Sequence, residues 1–281
     1  MAWPAERPVG GRRYAARVDA TATDRAARLL AECRRAGIRF AGFPRDLHPL
    51  DEAAGYAVQE SLHGLLEAGG HGPQGGHKIG CTTSVMQEYL GIRNPSAGGV
   101  LAATILPSGA TRPLPVDTRL GVECEIAVRL GRDLPGADAS DLDRVAAAVG
   151  AWMASIEIVE DRYVEFPALD APSLIADDFF GAGLVLGAEI AGLDAREADA
   201  FAATMTIAGA TVGAGRGADI LGHPLKALAW LATHLDARGR PLRAGEVATL
   251  GSLVATVWID EPGEVVVDND ALGAVTISFT H

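Results

Sequence analysis

The chain has 281 residues, of which 48% are hydrophobic and 5% aromatic, with a net charge of −12 and a pI near 5.0. This length suits one large domain or a large domain with a smaller companion. The acidic balance argues against a nucleic-acid or anionic-membrane partner, since either needs a basic surface. Cys33, Cys81 and Cys124 form no CxxC pair, so we expect a reducing compartment rather than a disulfide framework or a zinc knuckle.

The chain contains no uninterrupted apolar segment of the about 18 residues that a membrane-spanning helix needs. The longest candidate, residues 179–193, is interrupted by Glu189. The charged N-terminal stretch lacks the apolar centre of a signal peptide. We therefore expect a cytoplasmic protein with no membrane partner.

The first quarter of the chain is predicted to be helical after an irregular leader at residues 1–20. Residues 21–40 and 51–70 carry apolar side chains at helical spacing. The first helix is expected to stop at Gly37 and the second at Gly69 and Gly70. We place this helical N-terminal segment at residues 21–76.

A change in composition near residue 77 predicts a mixed-β catalytic domain over residues 77–281. Short apolar runs between Gly, Pro and Asp predict strands at 77–80, 99–106, 121–130, 154–161, 182–190, 204–212, 246–259 and 273–279. Two helices, over residues 139–152 and 223–239, interrupt them. Because the strands outnumber the helices and do not alternate with them, the pattern favours an α+β fold over a parallel βαβ one.

Two glutamates, Glu123 and Glu125, stand one residue apart in the predicted strand GVECEIAVRL. Residues i and i+2 of a strand share a face, so the two carboxylates repel each other and are costly to bury. One explanation is the solvated face of an edge strand. However, Glu157 alternates with isoleucines in another strand, which favours a shared metal site. Carboxylates without His or Cys suit Mg²⁺ or Mn²⁺ rather than Zn²⁺.

Lys78 follows a glycine-rich loop at the start of the strand HKIG. A lysine enclosed by apolar groups has its pKa lowered toward neutrality and can shuttle protons; the alternative is a surface lysine beside a loop. GPQGGHK is not a phosphate loop because Ile79 replaces the Ser or Thr, and the chain has no GxSxG motif. Glu60 and His63, three residues apart on a helix, are expected on its solvated face.

The chain resembles the 2-keto-4-pentenoate hydratase and 4-oxalocrotonate decarboxylase family, within the fumarylacetoacetate hydrolase superfamily. Six stretches carry the resemblance, in the family's order: HKIGCTTSVMQEYLGI, VECEIAVRL, IEIVEDR, IADDFFGAGLVLG, HPLKALAWLA and LGSLVATVWIDEPGEVVVDNDALGAVTISF. It runs from about residue 20 to the C-terminus. The resemblance implies a mixed β-sheet roll with a helical N-terminal segment, a homo-oligomer built on dimers, and bound Mg²⁺ or Mn²⁺.

The resemblance also implies roles for individual residues. The metal ligands correspond to Glu123, Glu125 and Glu157. The catalytic or substrate-binding lysine corresponds to Lys78, and further substrate-binding positions to Ile79, Gly80, Gly251 and Ser252. Asp177, in the IAD stretch, corresponds to a residue that orients a catalytic group.

Two departures from the family pattern bear on the reaction. The acid of an Asp-x-Pro turn is replaced by Arg93 or Asn94, and a small Ser-containing run after IAD is replaced by Asp178-Phe179-Phe180. If the missing Asp and Ser place a water, a different substrate or reaction follows. The two phenylalanines would make the pocket more apolar or belong to the core.

The implied substrate is a small 2-oxo acid chelated by the metal, which as a Lewis acid stabilises an enolate, while Lys78 carries protons. Hydration of a 2-oxo or 2-hydroxy-dienoate-type acid is expected first, because the order of motifs matches that subgroup. The alternatives are decarboxylation, C–C hydrolysis of a related 1,3-dicarbonyl acid, or an inactive family member that acts as a binding subunit.

Overall fold

The computed structural model describes residues 20–82, 87–88 and 90–281 of the chain. Helix α1 spans Ala20–Ala36, and Gly37 ends it with a φ of +65°, a conformation that glycine adopts without steric cost. Helix α2 spans Glu52–Leu66. Its N-cap residue, Asp51, accepts a hydrogen bond of 2.8 Å from the amide of Ala54.

A single π-helical turn, Glu67–His71, continues α2 toward the first strand. Gly70 lies within it, with a φ of +97°, near the predicted end of this helix. The first strand begins at Gln74, close to the predicted boundary at residue 77. The predicted leader lies outside the described residues, except for Ala20, which begins α1.

The larger sheet has eight strands: β1 (Gln74–Gly80), β2 (Ser96–Leu101), β3 (Ile105–Pro107), β5 (Arg119–Leu130), β6 (Val149–Asp161), β7 (Gly181–Leu186), β10 (Val247–Ser252) and β11 (Val257–Trp258). Their order is β2-β1-β10-β5-β6-β7-β3, and β11 pairs with β5.

The smaller sheet has five strands: β4 (Ala110–Pro113), β8 (Ala202–Ile207), β9 (Ala210–Arg216), β12 (Gly263–Asn269) and β13 (Gly273–Thr280), in the order β4-β13-β12-β8-β9. From residue 91 onward the described chain has three more α-helices: α3 (Leu142–Ala148), α4 (Ala171–Ala176) and α5 (Pro224–Ala237). Pairing is parallel for β1–β10, β3–β7 and β4–β13, and antiparallel for the other strand pairs.

This mixed pairing confirms the predicted α+β fold, with corrections to individual elements. The predicted strand at 99–106 is broken by a 3₁₀ turn between β2 and β3. The one predicted at 204–212 is a hairpin, because Ala208 and Gly209 turn the chain with φ of +49° and +81°. Strands β4 and β12 and helix α4 were not predicted.

The interior of the larger sheet explains the alternation in GVECEIAVRL. One face of β5 presents four fully buried side chains to the core: Val122, Cys124, Ile126 and Val128. The other face presents Glu123 and Glu125. Since β5 lies between β10 and β6, the edge-strand explanation is wrong. Antiparallel pairing places Glu123 directly opposite Glu157 of β6.

Within the described residues, no helix has both the length and the apolar character needed to cross a membrane.

Candidate metal centre and catalytic cavity

Three carboxylates meet on the face of β5 and β6 opposite to the face that carries Val122 and Ile126. Glu123, Glu125 and Glu157 each offer an oxygen, and these atoms all lie within 4.8 Å of one another. Glu125 is 1% and Glu157 3% exposed. The pairing of two central strands thus brings together the three residues that the sequence singled out.

Two threonines and a backbone amide hold these carboxylates. The Thr249 hydroxyl and the Gly251 amide (3.2 Å) donate to Oε2 of Glu125, and the Thr256 hydroxyl donates to Oε1 of Glu123. Oε1 of Glu125 is buried without a hydrogen-bond partner among the described residues. An orphaned buried oxygen beside two more carboxylates fits a hard divalent cation, which takes oxygen ligands.

The electrostatics of the cluster call for a positive charge. Burial, reinforced by Glu157 and Glu123, raises the pKa of Glu125 well above its ordinary value. Burial, partly offset by Lys78, raises the pKa of Glu157 to about 7. Like charges in a dry site disfavour ionisation, and a cation relieves that repulsion.

Lys78 is buried beside the cluster and is 4% exposed. Its Nζ lies 3.1 Å from Oε1 of Glu157 and donates a 2.7 Å hydrogen bond to the carbonyl of Phe179. The expected lowering of its pKa is wrong. Burial acts in that direction, but the charges of Glu157 and Glu123 outweigh burial and raise the pKa of Lys78.

A cavity of about 500 Å³ opens beside Lys78 and Glu123. Its wall includes three of the predicted substrate-binding residues: Ile79, Gly80 and Ser252. The Ser252 hydroxyl donates to the carbonyl of Val254 at 2.5 Å. Gly251 contributes through the hydrogen bond that its backbone amide donates to Glu125. Its φ is +120°, and a Cβ there would lie 2.6 Å from the Thr82 side chain, so glycine is required.

A second cavity, of about 230 Å³, is lined by Lys78 and by Glu157. Arg34, Arg112 and Arg162 contribute to its wall. Lys78 therefore borders two spaces of different chemistry, whereas Glu157 lines only the smaller one.

Comparison with known proteins shows to which family the chain belongs. Residues 85–279 match the family model described as Fumarylacetoacetate (FAA) hydrolase C-terminal. The chain belongs to the fumarylacetoacetate hydrolase family. The resemblance inferred from the motifs is thereby confirmed.

Individual members of this family show which proteins the chain is similar to. It is 34% identical over 233 residues to a 2-keto-4-pentenoate hydratase of Burkholderia vietnamiensis, covering 82% of this chain and 87% of that protein. It is 34% identical over 262 residues to the TodF product hydratase of Pseudomonas putida, covering 92% and 95%. The solved 4-oxalocrotonate decarboxylase of Pseudomonas putida G7, complexed with magnesium and adipate, matches with a TM-score of 0.84 and 26% identity, covering 92% of this chain and 97% of that one.

Asp177, the predicted orienting residue of this family member, lies in a buried ionic network. Its carboxylate accepts hydrogen bonds from Arg162 Nε (2.6 Å), Arg34 Nε (2.8 Å) and the Tyr163 hydroxyl (2.9 Å). It is not among the residues that line the cavity of about 500 Å³. Asp177 is therefore connected to the cavities only through its neighbours, of which Arg34 and Arg162 line the smaller one.

The next three residues, where the chain departs from the family pattern, form a left-handed turn. Asp178, Phe179 and Phe180 have φ values of 58°, 46° and 66°. For residues other than glycine this conformation costs about 1–2 kcal/mol each. The turn directs the Phe179 carbonyl at Lys78, and both phenylalanine side chains line the cavity.

The expectation that His63 lies on a solvated helix face is wrong. His63 is 7% exposed, and its Nε2 lies 2.7 Å from Oδ1 of Asp178. Gly99 makes room for the ring, since a Cβ there would lie 2.4 Å from it. The neighbouring helix position, Glu60, is 55% exposed as predicted.

Sequence reasoning also missed the groups that hold the carboxylates. Thr249 lies just before the last motif stretch, Thr256 lies within that stretch but was given no role, and the Phe179 carbonyl has no sequence signature. A polar residue inside the apolar run EVATLGSLV is the signal that could have indicated Thr249. Thr256, in a loop between β10 and β11, offers none.

Proposed function

We propose that the protein is a divalent-metal-dependent hydratase that adds water to the carbon–carbon double bond of a small 2-oxo or 2-hydroxy-dienoate-type acid. The observation that supports it is the cluster of Glu123, Glu125 and Glu157, in which Oε1 of Glu125 is unpaired, beside a cavity of about 500 Å³ that Lys78 and Glu123 line. Relatives named hydratases, which the chain matches over most of its length, support the same assignment.

In this proposal Glu123, Glu125 and Glu157 hold the cation, either Mg²⁺ or Mn²⁺. When bound, such an ion supplies Lewis-acid stabilisation of the negative charge that develops on the 2-oxo acid. Thr249 fixes the orientation of Glu125, and Thr256 that of Glu123, so the ligand oxygens need no rearrangement. Partners that orient metal ligands are worth about 10–100-fold in affinity or activity.

Lys78 is the proton-carrying group of this proposal. In this role Nζ donates a proton and places a positive charge beside the reacting acid. The Phe179 carbonyl and Glu157 hold Nζ in one position. We expect Lys78→Met to abolish turnover while the metal-dependent stabilisation persists.

Decarboxylation is the second candidate, because the decarboxylase of Pseudomonas putida G7 matches 92% of this chain with a TM-score of 0.84. Measuring CO₂ release and loss of the dienoate on the same preparation separates the two reactions. Loss of dienoate without CO₂ supports the hydratase; stoichiometric CO₂ release from a dicarboxylic 2-oxo acid supports the decarboxylase.

A thermal-shift titration with Mg²⁺ and Mn²⁺, with and without oxalate, tests the metal centre. A ligand that binds only the folded state raises the apparent stability, so we expect a metal-dependent shift that grows with oxalate. Glu125→Gln should remove this shift, whereas Glu189→Gln, on the exposed surface, should retain it. An equal shift in both variants would exclude the proposed ligands.

From the family resemblance we also infer a cytoplasmic homo-oligomer built on dimers, with a small-molecule 2-oxo acid as its partner. Light scattering of the purified full chain tests the assembly: an even number of subunits is expected, and a monomer would contradict it.

A further inference from the structure

The cavity beside the carboxylates is polar at one end and apolar at the other, along strands β5 and β6. The face of β5 that carries Glu125 and Glu123 continues to Gly121, and the face of β6 that carries Glu157 continues to Val159. Gly121 and Val159 are directly paired. Residues two apart on a strand are about 7 Å apart, so the polar and apolar ends lie at a fixed separation.

An aromatic cluster covers the Gly121 end. Trp258 of β11 pairs with Gly121, and a Cβ at Gly121 would lie 3.0 Å from the Trp258 ring. The ring of Phe180 is centred 6.4 Å from that of Trp258 and 5.4 Å from that of Phe166. All three aromatic residues line the cavity.

The larger cavity offers little positive charge to a second carboxylate. Among the described lining residues, Lys78 is the only cation, and Glu157 already pairs with it. The remaining charged lining residues, Glu123 and Asp219, are negative. The Arg119 guanidinium lies 5.5 Å from the Trp258 ring but does not line the cavity and already pairs with Asp260. A carboxylate carried into the aromatic cluster would therefore gain no free cationic partner among the lining residues, which makes its desolvation costly.

We propose that this cavity selects 2-oxo acids with an apolar alkyl or aryl tail and rejects those whose tail ends in a second carboxylate. The proposal rests on the proposed function, in that the 2-oxo acid end is held at the carboxylates. A tail that extends from there along β5 and β6 enters the cluster of Phe166, Phe180 and Trp258. Phe179 and Phe180, which follow the IAD stretch, make this wall apolar.

The smaller cavity of about 230 Å³ is the competing place for a tail carboxylate. Two of its arginines, Arg34 and Arg162, already pair with Asp177. Arg112 donates to the Ala182 carbonyl at 3.0 Å and forms no ion pair within the described part of the chain. Its volume is about half that of the aromatic-lined cavity, so we assign the tail to the larger space.

Calorimetric titration of the full-length protein in saturating Mg²⁺ tests this assignment without turnover. The probes are oxalate, pyruvate, 2-oxohexanoate and 2-oxoadipate, none of which is a dienoate. The three additional methylenes of 2-oxohexanoate should make it bind about 10–50-fold more tightly than pyruvate. 2-Oxoadipate should bind at least about tenfold more weakly than 2-oxohexanoate.

Matched variants locate the tail. Phe166→Ala should reduce the advantage of 2-oxohexanoate over pyruvate by about threefold or more and leave oxalate affinity unchanged. Phe43→Ala removes a comparable, partly buried ring that packs on Phe40 away from the cavity, and should change neither. Ala255→Arg, at an exposed lining position, should raise 2-oxoadipate affinity by about tenfold.

Each failure has its own signature. If oxalate does not bind in Mg²⁺, the proposed function fails. If oxalate binds but all tails bind equally, only the tail assignment is overturned. If 2-oxoadipate binds more tightly than 2-oxohexanoate and Arg112→Gln removes that preference, the tail lies in the smaller cavity and the proposal is wrong.

Discussion

Replacing Asp177 by alanine should destabilise the protein strongly without a direct effect on chemistry. Asp177 is 1% exposed and accepts hydrogen bonds from Arg162, Arg34 and Tyr163. Its removal leaves two largely buried guanidinium groups without their main counter-charge. An unpaired buried charge is among the few causes of large mutational destabilisation.

The size of this loss follows from the contacts. Hydrogen bonds to charged groups contribute about 1.5–3 kcal/mol each, and breaking one side of a buried ion pair costs about 3–5 kcal/mol. Part of the loss is compensated, because Asp178 lies 3.2 Å from Arg34 and Glu160 lies 3.6 Å from Arg162. For Asp177→Ala we expect a decrease in the free energy of unfolding of about 4 kcal/mol.

Urea unfolding at pH 7 measures this decrease, with Asp46→Ala as the control for an exposed aspartate–arginine pair. That pair is solvated, so its loss should not be resolved. A decrease below about 1 kcal/mol for Asp177→Ala would refute the argument. So would a folded variant of wild-type stability whose kcat has collapsed, because Asp177 would then act in the chemistry itself.

The pH dependence of stability gives a second test of the role of Asp177. Burial would raise the pKa of Asp177, but Arg162 and Arg34 outweigh burial and lower it from 3.8. A group whose pKa is lowered by folding stabilises the folded state above its unfolded pKa, and this contribution is lost as the pH falls through its folded pKa. The gap between wild type and Asp177→Ala should therefore be complete above about pH 4 and shrink in acid.

Three further predictions concern the site itself. Thr249→Val removes a donor to Glu125 and should weaken Mg²⁺ binding by about 10–100-fold, measured by calorimetry. In Gly98→Ala the new Cβ would lie 3.0 Å from the Lys78 stem; displacing Nζ should lower kcat by about 10–100-fold, measured by steady-state kinetics beside thermal unfolding. With a chelator present, unfolding free energy should fall by up to about 3 kcal/mol between pH 4.5 and 7, because burial, partly offset by Lys78, raises the pKa of Glu157 to about 7.

Matched controls accompany these three predictions. Thr233→Val, on the exposed surface of α5, should leave Mg²⁺ affinity unchanged; equal effects at both threonines would contradict the role of Thr249. Gly64→Ala, where a Cβ meets nothing within 4 Å, should keep kcat. Glu157→Gln should reduce the slope of the pH profile, with the remainder coming from Glu125, and an undiminished slope would assign it to other groups.

The sequence predicted the chemistry of the site better than its surroundings. Strand periodicity alone placed Glu123 and Glu125 on one face, because side chains alternate strictly along a strand. The alignment of Glu123 with Glu157 could not be derived, since a loop and α3 separate β5 from β6 and leave the register free. That register is set by which apolar residues of the two strands are buried side by side in the core.

Long-range contacts account for the remaining errors. His63 was misassigned because its partner, Asp178, follows 115 residues later and because Gly99 leaves room that no local pattern reveals. The pKa of Lys78 was misjudged because apolar neighbours were visible in the sequence while the opposing carboxylates were not. Short elements such as β4 and α4 carry too few residues for a periodic signal.

The strand pairing that aligns Glu123 with Glu157 also disfavours folding in a shifted register. A slip by one residue would turn every side chain of β5 to the opposite face, sending Glu123 and Glu125 into the space now filled by Val122 and Ile126. Such a sheet would bury unpaired carboxylates at a cost comparable with the whole net stability of about 5–15 kcal/mol. A misaligned chain is therefore unfolded rather than folded and inactive, so a chain that folds has its carboxylates in register.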